Sequence, residues 1–155
     1  MAGLPGAPAV ITGSRAIELL PTTPTTARKI VDALRSSAGI VVPVGYVTDG
    51  ASIPRACWRV IGHPFEGLFI RPALVHDVRC EWHVGRWEDT HREFYHNLLA
   101  EGVGRTRAWL MFQAVWHFGP RWPVADAITI TRAQEIAEAP VGPNGQPWGA
   151  YAPAV

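Results

Sequence analysis

Two stretches carry residues whose types and spacing could do chemistry together. The first spans residues 45–55, Gly-Tyr-Val-Thr-Asp-Gly-Ala-Ser-Ile-Pro-Arg. Gly45 and Gly50 permit backbone angles that other residues avoid, and Pro54 fixes its own φ and restricts Ile53. Between them Thr48, Asp49 and Ser52 offer short oxygen-bearing side chains that hydrogen-bond nearby backbone or bind a cation. A competing reading makes Asp49-Gly50 a plain turn and Pro54 the start of a helix. The second stretch is His76-Asp77, an imidazole and a carboxylate side by side in an otherwise apolar segment.

Neighbours on a helix point about 100° apart, so His76 and Asp77 do not form one hydrogen-bonded pair. They would address two sides of one pocket. Asp49 and Asp77 supply hard carboxylate oxygens, and the bent backbone at Gly50 adds carbonyls, a set suited to Ca²⁺ rather than Zn²⁺. His76 would then deprotonate a water while the metal polarises a carbonyl or phosphoryl oxygen. The alternative is a buried histidine satisfied by a backbone carbonyl, beside an exposed aspartate.

These residues need elements to hold them. The β-branched run over residues 40–47 ends in turn residues and predicts a strand. Paired with residues 28–35 around residues 36–39, it makes a hairpin. A further short strand is expected at residues 16–20, and a short helix at residues 55–61. Pro72 suits the first position of a helix that carries Ala73, His76, Asp77 and Cys80 and ends at Gly85. A second helix starts near Trp87, with Glu88 and Asp89 in its first turn and an apolar stripe of Phe94, Tyr95, Leu98 and Leu99. A third, over residues 105–118, is expected to be the most buried and to stop at Gly119-Pro120. The fold class is α+β: a small antiparallel sheet or hairpin packed on a three-helix core. Residues 1–26 read as an extended N-terminal arm, 27–122 as a single domain and 123–155 as a C-terminal extension, Pro/Gly/Ala-rich in its tail.

On these motifs the chain resembles domain-of-unknown-function family 1353, widespread in tailed bacteriophages and prophages. The likeness rests on Val-Pro-x-Gly-Tyr-Val-Thr-Asp-Gly-Ala-Ser-Ile-Pro-Arg, then Ala-Leu-Val-His-Asp, Phe94…Gly102-Val103 and Ala108…Phe118-Gly119. It implies a phage or prophage origin more firmly than a reaction. A fainter resemblance reaches the bacterial phospholipase A2 enzymes, which place an Asp-Gly loop before a helix bearing His-Asp, then a second helix with Asp-x-x-Phe. Carried over, it implies His76 as general base, with Asp49, Asp77 and a backbone oxygen near Gly50 as Ca²⁺ ligands. The acid that orients the histidine would fall three residues before Phe94, and that residue is His91. An imidazole accepts a hydrogen bond but does not stabilise an imidazolium as a carboxylate does. Asp89 reads as a first-turn carboxylate, and Glu93 and His96 as solvent-facing. His83, His96 and His117 read as surface or core fillers. A Zn²⁺ site from His76, His91 and Asp49 or Asp77 is a further option, though no His-x-x-x-His spacing supports it.

Composition narrows the classes. At 155 residues and 48% apolar, the chain is long enough for one domain with a real core. No apolar run approaches the roughly 20 residues a membrane helix needs, and the first residues lack the pattern of a signal peptide. A net charge of +1 gives no footprint for nucleic acid. Cys57 and Cys80 read as free thiols. Two functions follow. One is a phage-encoded assembly protein of the virion tail, neck or baseplate, made in the host cytoplasm. It would keep a phospholipase-A2-like polar pocket and join other phage structural proteins or copies of itself through its arms. The other is a Ca²⁺-dependent, histidine-based esterase that contacts envelope lipid during entry or lysis. Whether the chain is an enzyme stays open at this point.

Overall fold

In the computed structural model, residues 10–14, 17–19, 28–48, 59 and 67–140 are described. The expected hairpin is present. Strands β3 (Arg28–Ile30) and β4 (Leu34–Ser36) run antiparallel to β6 (Val47–Thr48) and β5 (Val41–Val42). Arg28 faces Thr48 and Leu34 faces Val42, so one register holds on both sides of a bend. Pro43 has no N–H to give a ladder. Both the Gly45 N–H and the Tyr46 carbonyl bond Ile30, and Gly45 has φ +80°, the signature of a glycine bulge. Two more strands, β1 (Ile11–Thr12) and β2 (Ile17–Leu19), lie against the other side of β4 and β3. Ile11 opposes Ser36 and Ile17 opposes Ile30, again one register. The two three-stranded sheets are therefore halves of one bent meander. The strand expected at residues 16–20 is present as β2, and residues 11–12, placed by composition in the N-terminal arm, join the same sheet.

Four helices follow among the described residues. A 3₁₀ turn, Gly67–Phe69, leads into α1 (Ile70–Glu81), then α2 (Trp87–Ala100), α3 (Arg105–Phe118) and α4 (Ile130–Glu138). Pro72 stands third in α1 rather than first, still within the first turn, where its missing N–H costs no helix bond. The expectation that the third helix is the most buried is corrected. Apart from Arg71, α1 is buried from Ile70 to Cys80, whereas α3 buries Ala108, Met111, Phe112, Ala114 and Val115. The reason is position: α1 stands between two cores. Ile70, Leu74, Val75 and Val78 pack with Leu34, Ile40, Val42 and Tyr46 of the sheet and with Ala133 and Ala137 of α4. Phe94, Tyr95, Leu98, Met111, Phe112 and Val115 form the second core between α2 and α3.

Helix α4, in the segment expected as a C-terminal extension, packs on the sheet-side core through Ala133 and Ala137. Its small alanines let it approach closely, and the Gln134 amide donates to the Gly39 carbonyl at 2.9 Å. Residues 119–128 are fastened as they cross from α3 to α4. The Trp122 Nε1–H donates to the Gly85 carbonyl at 2.8 Å, and Val84 forms a parallel bridge with Ile128. The expected helix at residues 55–61 lies outside the described residues apart from Arg59, which is helical. The tail beyond residue 140 also lies outside them. Among the described residues no helix is long and apolar enough to cross a membrane.

Candidate functional site

Helix α1 turns its His76 face toward α2 and its Asp77 edge toward the sheet. His76 and His91 meet there, His76 Nε2 to His91 Nδ1, at 2.9 Å. They are 1% and 0% exposed. His91 Nε2 lies 3.2 Å from the Pro120 carbonyl, which can only accept. His91 therefore carries its proton on Nε2 and accepts at Nδ1, and the His76 Nε2–H donates. That leaves His76 Nδ1 as an acceptor, 3.8 Å from Cys80 Sγ one helical turn on; the same sulfur is 3.6 Å from His76 Nε2. The chain of donors ends on a backbone carbonyl, with no carboxylate in it.

Electrostatics keep the pair uncharged. Burial drives the His76 pKa well below 6.5, helped by His91 and by the Arg79 guanidinium. Burial also brings His91 down to about 4 against the opposing pull of the Pro120 carbonyl, and the Arg121 cation adds to the lowering. Aromatic rings complete the enclosure. Phe94 lies 4.6 Å from His76 between centroids, and Trp87 lies 5.5 Å from His91. Gly119 is required by this closeness: a Cβ there would sit 3.1 Å from His91 Cε1 and 2.4 Å from the Val115 carbonyl oxygen.

Asp77 belongs to different surroundings. Buried rather than exposed, it accepts from the Thr48 hydroxyl at 2.5 Å, so it is tied to the last strand of the sheet. Asp49 and Gly50 lie outside the described residues. Of the oxygen ligands expected for Ca²⁺, the described residues supply Asp77. The donors gathered at the histidine pair are nitrogen and sulfur, a set that does not fit Ca²⁺.

Other expectations need correction. Glu93 does not face solvent; it pairs with Arg79, whose Nε–H also donates to Thr90 Oγ1 at 3.2 Å. Burial raises the Glu93 pKa, against the neighbouring guanidinium. Asp89 stays at the surface and accepts from Arg92 at 3.1 Å. His83 stacks on Trp122 at 5.0 Å, and His117 is exposed. Cys80 is the residue at the site that sequence reasoning passed over. The signal was present as His-x-x-x-Cys, the same one-turn spacing looked for between two histidines.

These features define an α+β domain organised around a buried, neutral histidine pair between two helices. Residues 28–115 match the DUF1353 family, described as a protein of unknown function, and the chain belongs to that family. Two relatives come from Sinorhizobium fredii (strain NBRC 101917 / NGR234). Uncharacterized protein y4iH is 49% identical over 75 residues, covering 48% of this chain and 31% of that protein. Uncharacterized protein y4jT is 44% identical over 81 residues, covering 52% of this chain and 24% of that protein. The chain thus spans less than a third of the length of these curated relatives. No solved structure matches it.

Proposed function

We propose that the domain is an assembly module of a bacteriophage or prophage particle, virion-associated in the tail, neck or baseplate. On this reading it keeps the helix layout of a phospholipase-A2-like pocket without the acid that would drive it. The observation that carries the reading is the His76–His91 contact. A histidine base works through an orienting carboxylate that stabilises its charged form, and here a neutral imidazole occupies that place. Sequence closely similar to this chain also forms a minor part of much longer relatives, as suits a reusable building module. Its partners would be other particle proteins or further copies of the chain. The test is to purify particles from a host carrying the gene and to search them for this chain by mass spectrometry. Presence in particles, with defective assembly when the gene is deleted, is the expected result. Normal particles without it would overturn the reading.

A second reading, a Ca²⁺-dependent esterase acting on the cell envelope, is favoured by one observation. Thr48, the residue before Asp49, donates to Asp77, which suits a loop closing over the helix that bears the catalytic histidine. In that case Ca²⁺ raises the melting temperature by binding the native state. His76→Ala then abolishes ester hydrolysis, and Asp49→Asn weakens the metal effect. Absence of both hydrolysis and Ca²⁺ stabilisation would dispose of it.

A further inference from the structure

The donor atoms around the histidine pair suit a different class of metal from the one the sequence motifs suggest. We infer that His76, Cys80 and His91 form a binding site for a borderline transition-metal ion, Zn²⁺ in the first instance. The inference holds whether the domain assembles particles or hydrolyses esters.

Three ligand atoms, one from each residue, lie within 4.8 Å of one another, and all three residues are buried. A tetrahedral Zn²⁺ bound at about 2.0–2.1 Å to nitrogen and about 2.3 Å to sulfur separates its donors by about 3.3–3.6 Å. Cys80 Sγ stands 3.6 Å from His76 Nε2, the two nitrogens at 2.9 Å need to part by a few tenths of an ångström, and the sulfur lies within 4.8 Å of the His91 ligand atom. The His91 ring is held as zinc-bound imidazoles usually are. Its outer Nε2–H donates to a backbone carbonyl, that of Pro120, which fixes the tautomer and turns the Nδ1 lone pair inward. His76 and Cys80, four residues apart on α1, present their ligand atoms on one helix face. On binding, the proton that His76 Nε2 donates to His91 moves to Nδ1, and the Cys80 thiol gives up its own. Three protein ligands leave a fourth position for water or a small ligand.

Co²⁺ tests this directly, because its absorption reports both geometry and sulfur ligation. The full chain, stripped with chelator under reducing conditions, should take up one Co²⁺ with tetrahedral bands and a sulfur-to-metal charge-transfer band, and Zn²⁺ should displace it. Cys80→Ser should remove that band. Cys80→Ser and His91→Gln should each weaken Zn²⁺ binding at least tenfold, and His117→Ala, at an exposed position, should leave it unchanged. Cys57 is the other thiol of the chain. Should Cys80→Ser fail to fold by circular dichroism, Cys57→Ser decides the matter, because a band retained there belongs to Cys80. Three results would overturn the inference: no stoichiometric binding at micromolar metal, an octahedral spectrum without a sulfur band, or a band that disappears with Cys57 instead.

Discussion

The Thr48 hydroxyl donates to the Asp77 carboxylate at 2.5 Å, joining the last strand of the sheet to the middle of the central helix. Hydrogen bonds to charged acceptors contribute about 1.5–3 kcal/mol. Thr48→Val keeps the shape and deletes this donor beside a buried carboxylate, so it should lower unfolding free energy by about that amount. Thr48→Ser should restore most of it. Urea denaturation monitored by tryptophan fluorescence measures both.

The histidine pair predicts how stability depends on pH in metal-free protein. Both imidazoles titrate lower when folded than the ordinary value near 6.5, so the unfolded chain binds protons first as pH falls. Their contribution is whole above about pH 6.5 and is lost on acidification, down to about pH 4 for His91 and further for His76. The slope should approach about 1.4 kcal/mol per pH unit for each histidine. Urea midpoints, with chelator present, should stay nearly level between about pH 7.5 and 6.5 and fall between about pH 6.5 and 5.5. His91→Gln should flatten the slope even if it lowers the whole curve.

Arg79 and Glu93 make a buried ion pair whose two halves should behave very differently from the whole. Removing one partner strands a charge, at a cost of about 3–5 kcal/mol, whereas replacing both with apolar residues of similar volume is often close to neutral. Arg79→Met should be severely destabilising and Arg79→Met/Glu93→Leu much less so. A double-mutant cycle by chemical denaturation checks this.

Gly119→Ala tests the tight exit from α3. The added methyl would stand 2.4 Å from the Val115 carbonyl oxygen, a backbone atom with little freedom to give. Overpacking of this kind costs about 1–3 kcal/mol. The shift would also press on His91, so its imidazole resonances should move in nuclear magnetic resonance spectra.

Much of this architecture was legible in the sequence. The hairpin followed from a β-branched run closed by turn residues, and the second and third helices from apolar spacing bounded by Gly102 and Gly119. What escaped had physical reasons. Ile11 and Thr12 pair with the hairpin within a Pro- and Gly-rich stretch whose composition speaks of an arm, because main-chain bonds to a neighbouring strand need no particular side chain. The burial of α4 was hidden because Ala133 and Ala137, small residues of weak apolar signal, do the packing. Glu93 looked solvent-facing because its partner, Arg79, lies on another helix. At the site, the facing histidines follow from the two motifs; the sulfur does not stand out, because the oxygen-bearing residues around Asp49 point to a hard cation for which a thiolate is no ligand.

The central helix has one last consequence. Since α1 lines the sheet-side core with one face and meets α2 with the other, neither half of the molecule keeps an intact wall once it detaches. The halves should therefore melt as one. Heating followed by fluorescence and by far-ultraviolet dichroism should give superimposable transitions, without a plateau in which half the molecule outlives the rest.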